Sequence, residues 1–188
     1  NKASNISLIT KDIAKNTLDY MDHFPVDIFQ TGSGTSTNMN MNEVVSNIAK
    51  RKYKKEIHPN DDVNMSQSSN DVIPTTINIS SLTMSNSLSL SMNFLCDSLH
   101  KKSKSLSSII KSGRTHLMDA VPISFEQELN VWEEQVRAAQ SQIDLSCEEI
   151  SYLPIGGTAI GTGINAPKQF SKNVCSELNK IYRELKFK

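Results

Sequence analysis

The longest regular pattern in the chain is an apolar stripe between residues 73 and 110. Its members recur at alternating steps of four and seven residues: Ile73, Ile77, Met84, Leu88, Leu95, Leu99, Leu106 and Ile110. Eleven residues make almost three whole helical turns, so this stripe stays on one face of a long, nearly straight helix. Such a length without glycine predicts a helical bundle. Pro74 is expected in the first turn, where Ser69, Asn70 or Asp71 can serve the free amides.

A second amphipathic helix is predicted after Ser124, because Ser124 and Gln127 have the spacing of a capping box. Its apolar positions step by three and four residues: Phe125, Leu129, Trp132, Val136, Ala139, Ile143, Cys147 and Ile150. This places Trp132 in the core. The glycine-rich segment 156–163 then breaks the pattern, as a tight connection or as the lining of a site, and Pro167 is expected to start a last helix. The fold class predicted is all-α.

A polar run precedes the long helix at residues 58–71, HPNDDVNMSQSSND. It contains almost no apolar side chains and cannot build a core, because each buried amide, hydroxyl or carboxylate needs a hydrogen-bond partner. The run is therefore either a solvated loop or a site for a polar ligand. It ends at a predicted helix N-terminus, whose free N–H groups and dipole favour an anion.

Two further clusters carry candidate chemistry. Residues 30–38, QTGSGTSTN, alternate glycines with hydroxyls and would let the backbone approach a small ligand, but they lack the lysine of a phosphate-binding loop. Residues 112–122, SGRTHLMDAVP, form a short polar connection between the two long helical patterns. There His116 lies beside Arg114, Thr115 and Asp119, which indicates either a solvated histidine or one that transfers protons.

Composition narrows the possible functions. The 188 residues include 20 basic and 20 acidic side chains, so the net charge gives no reason to expect nucleic acid or an anionic membrane as partner. The basic run 50–55 is more typical of a solvated face than of a nucleic-acid patch. The three cysteines lack pairing or metal-ligand spacing, which suits a reduced cytoplasm and speaks against an iron–sulfur cluster. No apolar run reaches the roughly 18 residues of a membrane span.

Six motifs in register resemble class II fumarate hydratase of the fumarase/aspartase superfamily. They are Gln30–Thr35, Asn38–Glu43, His58–Asp61, Ser66–Asp71, Gly113–Leu117 and Gly156–Gly163. The resemblance runs from about Asp27 to the last residue. It implies a long-helix bundle in which residues 1–69 end the N-terminal lyase domain and residues 70–188 begin the central helical domain. We expect a fragment, since the chain starts without Met and stops within a helical pattern at residues 181–188.

The resemblance also implies roles for individual residues. His116 would be the catalytic proton donor or acceptor at the oxygen-bearing carbon. The substrate-binding residues would be Ser33, Gly34, Thr35, Ser68, Ser69, Asn70 and Thr115. A second, outer dicarboxylate site would contain His58, Asn60 and Asp61. The base that takes the carbon-bound proton would lie on a loop beyond Lys188.

These residue types suit the hydration of fumarate to (S)-malate. Removing a proton next to a carboxylate builds extra charge on that carboxylate, and preorganised hydroxyl and amide donors can stabilise it. The resemblance implies an enzyme of the tricarboxylic acid cycle that needs no metal or organic cofactor. It also implies a homotetramer with active sites shared between subunits, so the fragment alone is expected to be inactive, and the cysteine pattern predicts a cytoplasmic location.

Two other functions remain open at this stage. The first is aspartate ammonia-lyase or another lyase of the superfamily, which shares the Gly-Ser-Gly-Thr and Ser-Ser-Asn elements. His116 favours hydration, because aspartases tend to carry Gln after the corresponding Thr. The second is a catalytically inactive helical interaction protein, against which the retained donor clusters argue, since a scaffold has no use for unpaired polar residues.

Overall fold

The computed structural model describes residues 1–29 and 32–188 and is mostly helical there, as predicted. The α-helices in this part of the chain are α1 (Lys2–Lys15), α2 (Thr17–Tyr20), α3 (Thr35–Tyr53), α4 (Ser69–Ser105), α5 (Phe125–Ile150) and α6 (Phe170–Ile181). A 3₁₀ turn covers Met21–His23, and a π-helical turn covers Pro59–Val63. The strands β1 (Ile110–Thr115) and β2 (Met118–Ser124) form a hairpin.

The described chain forms two compact units. The first contains residues 1–78 and 153–188, and the second contains residues 79–152. This division follows contacts within the present chain. The predicted domain boundary between residues 69 and 70 concerns the longer protein and stays a prediction.

The core of the first unit lies between α1 and α3. Its buried side chains are Ile9, Ile13, Val44, Val45, Ala49 and Ile57. Ile9 and Ile13 lie four residues apart on α1, Val45 and Ala49 lie four residues apart on α3, and Ile57 follows α3 and covers the same core. Tyr53 ends α3, and the following Lys54 takes a left-handed conformation with φ of 54°. The start of α3 lies near the start of α4, where the hydroxyls of Thr35 and Ser69 are 3.2 Å apart.

The long helix α4 begins at Ser69, so Pro74 lies in its second turn, and the prediction of a first-turn proline is wrong. Because proline has no N–H, the carbonyl of Asn70 lacks its usual helical donor. The predicted apolar stripe also extends beyond the helix, since α4 ends at Ser105, before Leu106 and Ile110. Within the chain, the middle members of the stripe are 46–69% exposed: Ile77, Met84, Leu88 and Leu95. The buried positions of α4 are instead Asp71, Thr75, Leu82, Cys96 and Ser103.

In the second unit, α4 and α5 run antiparallel. The amide of Gln140 donates to the Ser89 hydroxyl at 2.8 Å, and His100 Nδ1 lies 3.2 Å from Glu133 Oε2. Residue numbers therefore rise along one helix as they fall along the other. The buried Glu133 also accepts from Arg137 at 2.7 Å, and this guanidinium holds the pKa of the Glu133 carboxyl below its ordinary value.

The predicted start of α5 is confirmed. Ser124 Oγ accepts from the Gln127 N–H at 3.1 Å, and Gln127 Oε1 accepts from the Ser124 N–H at 2.9 Å. The prediction that Trp132 lies in the core is wrong for this chain, because its side chain is 49% exposed. Leu129 and Glu133 occupy the buried positions on either side of it along the helix.

The hairpin between α4 and α5 was not predicted from the sequence. Ile110 pairs with Ser124 and Thr115 pairs with Met118, with a register shift at Gly113. A Cβ at Gly113 would lie 2.7 Å from the Val121 carbonyl oxygen, so glycine permits the close approach of the strands. The polar connection predicted between the two long helices is therefore a hairpin of two short strands.

The end of the chain packs back on the first unit. The last helix α6 begins at Phe170, three residues after the predicted start at Pro167, whose carbonyl accepts the Phe170 N–H at 2.9 Å. Residues 182–188 are not helical, although their pattern suggested a helix. The Leu153 N–H donates to the carbonyl of Lys188, and Phe187 is buried. None of the described helices is both long and apolar enough to span a membrane.

Candidate active site

The N-terminus of α4 is built by the polar run that the sequence singled out. Ser68 Oγ accepts from the Asn70 N–H at 3.2 Å, and Asp71 Oδ1 accepts from the Ser68 N–H at 2.8 Å. Ser68 thus caps the helix by accepting from the second helical residue, and the carboxylate of Asp71, the third, accepts from the Ser68 N–H in return. Ser69, which is partly buried, and Asn70, which is exposed, lie on the first turn, where the helix dipole favours an anion.

The start of α3 lies against the same point. Gly34 precedes the helix in a left-handed conformation, with φ of 65°. The next residue, Thr35, places its hydroxyl 3.2 Å from that of Ser69 and 3.1 Å from that of Ser33. The structure therefore brings the predicted residues Ser33, Gly34 and Thr35 together with Ser68, Ser69 and Asn70. Gln30 and Thr31, which begin the predicted cluster, lie outside the described residues.

Two asparagine side chains of α3 donate hydrogen bonds to Asn64, in the middle of the polar run. Asn64 Oδ1 accepts from the side-chain amides of Asn38 and Asn42, each at 3.2 Å. Both donors are buried on α3, so their hydrogen bonds fix the chain before Ser68 to this helix. The same bonds help to order a segment that has few apolar residues.

These elements enclose a cavity of about 600 Å³ in the first unit. It is lined by Asn38, Met39, Asn60, Asp61, Asn64, Met65, Ser66, Gln67, Ser68, Ser69, Thr158, Ala159, Ile164 and Asn165. Most of these side chains can donate or accept hydrogen bonds, which matches a small polar ligand better than an apolar one. The glycine-rich segment thus lines the cavity, one of the two roles that the sequence left open for it.

Of the residues predicted for an outer site, His58 directly precedes the π-helical turn, and Asn60 and Asp61 lie within it. Asn60 and Asp61 line the same cavity as Ser68, whereas His58 lines a neighbouring cavity of about 420 Å³ beside Lys2 and Lys50. His58 Nδ1 accepts from the Asp61 N–H at 3.1 Å. The structure therefore places Asn60 and Asp61 at the cavity of Ser68 and His58 at a neighbouring one, and the second dicarboxylate site stays a prediction.

An ion pair between Lys2 and Asp62 joins the π-helical turn to the start of α1. The ammonium group of Lys2 donates to Asp62 Oδ2 at 2.6 Å, and the backbone N–H of His58 donates to the same oxygen at 2.8 Å. Both donors hold the pKa of the Asp62 carboxyl below its ordinary value, the lysine more strongly. The turn therefore presents a fixed, ionised carboxylate at its base near neutral pH.

Thr115 and His116 belong to the second unit. Thr115 lines a cavity of about 550 Å³ along the hairpin, next to the ion pair between Lys111 and Glu128. His116 is exposed in the hairpin turn, with φ of 50°. Whether these two residues join the serines and Asn70 in one active site stays a prediction.

Sequence reasoning gave Asp71 only a local capping role and did not foresee its long-range contacts. Its Oδ2 accepts from the backbone N–H groups of Gly156 and Thr158, at 3.1 and 2.8 Å. The Ser-x-x-Asp spacing of Ser68 and Asp71 signals the cap, but nothing local signals the contact with the glycine-rich segment. Among the described residues, no group of three His, Cys, Asp or Glu side chains is arranged to hold a metal ion.

Comparisons with known proteins place this geometry in context. The sequence model of a family described as lyase matches residues 1–186. Class II fumarate hydratase of Xylella fastidiosa is 45% identical over 180 residues, which cover 95% of this chain and 38% of that protein. A class II fumarate hydratase of Prochlorococcus marinus is 51% identical over 156 residues, covering 79% of this chain and 34% of that protein. The chain therefore spans less than two fifths of the length of these relatives.

Solved structures agree with the sequence comparison. The class II fumarase of Schistosoma mansoni superposes with a TM-score of 0.83 at 37% identity, over 97% of this chain and 39% of that one. A structure from Brucella melitensis titled fumarate lyase:delta crystallin bound to cobalt gives 0.84 at 38% identity, over 100% of this chain and 42% of that one. The predicted long-helix fold is thereby confirmed.

Proposed function

Because the chain belongs to the lyase family and its relatives named above are class II fumarate hydratases, we propose that the protein containing it interconverts fumarate and (S)-malate. The observation that supports this most directly is the meeting of α3 and α4 at one polar cavity. Hydroxyls of Thr35 and Ser69 lie 3.2 Å apart there, at the starts of two helices. The reaction belongs to the tricarboxylic acid cycle.

The geometry suits an anionic dicarboxylate. Helix N-termini carry partial positive charge, and neutral hydroxyl and amide donors beside them can bind a carboxylate without a strong ion pair. When the neighbouring carbon loses its proton, that carboxylate gains charge, and donors already in place stabilise it more than they stabilise the substrate. We assign Ser33, Thr35, Ser68, Ser69 and Asn70 to this role, with Gly34 allowing close approach of the backbone.

His116 is the proposed proton donor or acceptor at the oxygen-bearing carbon, with Thr115 binding substrate beside it. An imidazole can return a proton to the departing hydroxyl or take one from the attacking water. His58, Asn60 and Asp61 are proposed to hold a second dicarboxylate on its way to the cavity. No cofactor is assigned to the reaction.

The proposed assembly is a homotetramer in the cytoplasm, with active sites shared between subunits. Its support is the exposed apolar stripe of α4, where Ile77, Met84, Leu88 and Leu95 are 46–69% exposed within this chain. Such a stripe on a helix of 37 residues is typical of a bundle surface that other helices cover. Residues 1–188 alone are therefore expected to show no turnover.

The full-length protein tests the proposal. Purified enzyme mixed with fumarate in ammonia-free buffer should remove the ultraviolet absorbance of the fumarate double bond and form malate, detected by chromatography. Turnover only after ammonia is added, with aspartate as product, would assign an ammonia-lyase instead. Absence of both reactions from a folded tetramer would leave a helical interaction protein.

A further inference from the structure

Asp71 is the most deeply buried carboxylate in the described chain, with 1% of its surface exposed. Three backbone N–H groups donate to it: Ser68 to Oδ1 at 2.8 Å, and Gly156 and Thr158 to Oδ2 at 3.1 and 2.8 Å. The first of these donors belongs to the cap of α4. The other two belong to the glycine-rich segment more than 80 residues further along the chain. One side chain thus joins two walls of the cavity.

Segment 156–159, to which Asp71 is hydrogen-bonded, contains a residue in an energetically unfavourable conformation. Thr158 has φ of +57°, a conformation that β-branched residues strongly disfavour. Its hydroxyl oxygen is buried and has no hydrogen-bond partner among the described residues. Conformations of this kind persist only where the surroundings over-determine them. The 2.8 Å bond from the Thr158 N–H to Asp71 supplies such a constraint.

The next residue carries this constraint to the proposed substrate-binding groups. The carbonyl of Ala159 accepts from the side-chain amide of Asn70 at 2.7 Å. This bond sets the rotation of the Asn70 amide and leaves its oxygen and its second N–H for a ligand. Asp71 therefore acts on Asn70 from two sides: through the cap at Ser68 and through the segment that ends in Ala159.

We propose that Asp71 is a positioning residue of the active site, which holds segment 156–159 against the start of α4 and thereby orients Asn70. This inference rests on the proposed fumarate hydration. Asp71 is buried and its two carboxylate oxygens accept from three backbone N–H groups, so its proposed role is to position other groups and not to transfer a proton. Its contribution is to keep the donors where charge develops, and such placement matters because a misplacement of about 1 Å can cost roughly a hundredfold in rate.

The replacement Asp71→Asn tests this role with almost no change in shape. An amide offers one accepting oxygen, and its NH₂ group must face either the Ser68 N–H or the pair from Gly156 and Thr158. At least one backbone donor then loses its acceptor. In the full-length enzyme we expect kcat/KM to fall by about a hundredfold, with a raised KM and an unchanged shape of the pH profile of kcat.

A double-mutant cycle separates positioning from mere stability. If Asp71 acts through Asn70, the loss caused by Asp71→Asn should shrink to a few-fold in an Asn70→Ala background, because the oriented amide is already absent. Asp12→Asn is the matched control, since it removes a hydrogen-bonded carboxylate from the same unit but far along the chain from the cavity segments. It should lower the melting temperature and leave KM at the wild-type value.

Amide hydrogen exchange supplies a readout that does not depend on turnover. Peptides containing Gly156 and Thr158 should exchange slowly in the wild-type protein and quickly in Asp71→Asn, while peptides from α5 stay protected. If Asp71→Asn does not fold, Asp71→Glu retains the charge and should give the same raised KM and a partial loss of protection.

The outcomes distinguish this inference from the proposed function. Wild-type enzyme without fumarate turnover would remove the function, whatever the exchange shows. Active wild-type enzyme in which segment 156–159 exchanges freely would overturn the inference. The inference would also be overturned if the losses caused by Asp71→Asn and Asn70→Ala were additive. The same holds if Asp71→Asn released segment 156–159 to exchange while its KM stayed at the wild-type value.

Discussion

His116 and Leu117 both have left-handed backbone angles, with φ of 50° and 63°, and together form the turn between β1 and β2. Positive φ at both central residues is the pattern of a type I′ turn, whose twist matches that of the two strands. The proposed catalytic histidine therefore lies at the tip of the hairpin. Leu117 beside it is fully exposed within this chain.

Replacing His116 by Asn is expected to remove proton transfer without disturbing the turn. Asparagine is among the residues that tolerate the left-handed region, so the hairpin should keep its shape. A general acid or base contributes roughly 10²- to 10⁴-fold, so kcat should fall by about that factor. The limb of the pH–rate profile that reports this group should disappear.

The neighbouring replacement Leu117→Asn is the matched control for this prediction. It places the same side chain at the adjacent left-handed position and leaves the imidazole in place. Its rate and pH profile should equal those of the wild type. If His116→Asn behaves like Leu117→Asn, His116 does not transfer a proton in the reaction.

The hairpin also shows where sequence reasoning reached its limit. The capping box of Ser124 and Gln127 was predictable, because its two hydrogen bonds join residues three positions apart. The strands are short and carry polar residues, and the turn lacks the Asn-Gly signal that announces a hairpin. Local pattern therefore indicated a loop where the paired backbone forms a sheet.

Long-range contacts escaped prediction for a different reason. The serines and Asn70 were placed at a helix N-terminus correctly, because the hydrogen bonds of a helix cap join residues that are close in sequence. The bond from Asp71 to Thr158 spans 87 residues, and no periodicity in the chain encodes it. For α4, the periodicity gave the helix but not the face that this chain buries, since that depends on which other helices are present.

Gly34→Ala is expected to push apart the starts of α3 and α4. A Cβ at Gly34 would lie 2.8 Å from Ile73 Cγ2, and the backbone there has φ of +65°. The clash and the left-handed conformation together should cost about 1–3 kcal/mol of unfolding free energy. Because Thr35 would move away from Ser69, KM for fumarate should also rise.

Gly32→Ala is the control for that substitution, because among the described residues no atom outside its immediate chain neighbours lies within 4 Å of the site of its Cβ. Denaturant unfolding of the two variants against the wild type measures the difference. Equal stability of Gly34→Ala and Gly32→Ala would contradict the packing described between Gly34 and Ile73.

The carboxyl group of Asp12 should make the stability of the protein depend on pH in acid. The Tyr20 hydroxyl donates to Asp12 Oδ2 at 2.6 Å and Lys52 donates to the same oxygen at 3.0 Å. Tyr20 first, then Lys52 and the Asn16 amide, lower the pKa of Asp12 from 3.8 to about 2. A carboxyl group with a lowered pKa in the folded state stabilises that state above the unfolded pKa of 3.8, and the contribution is lost as pH falls towards 2.

Thermal melts of Asp12→Asn and the wild type across this range measure the effect. The wild type should melt at a higher temperature near neutral pH, and the difference should shrink as pH falls below 3.8 towards 2. Asp22→Asn, at an exposed position of the same unit, should not show this convergence. A difference between Asp12→Asn and wild type that stays constant down to pH 2 would mean that the contacts with Tyr20 and Lys52 do not form in solution.

Leu88→Lys is expected to disrupt assembly of the full-length protein. Leu88 is 47% exposed within this chain and lies in the middle of the apolar stripe of α4, so in the proposed tetramer it is covered by other helices. Burying an unpaired ammonium group there is strongly unfavourable, whereas the same group remains hydrated in a separate subunit. The mass measured by light scattering should therefore fall, and activity should fall with it if residues from several subunits form each active site.

Asn86→Lys adds the same group at an exposed polar position of α4, about 160° around the helix from Leu88 by the 100° that each residue turns. If the stripe is the contact face, this variant should keep more of the tetramer than Leu88→Lys does. A Leu88→Lys protein with the wild-type mass and activity would show that the stripe is not buried between subunits. Loss of the tetramer in both variants would mean instead that helices cover α4 on more than one side.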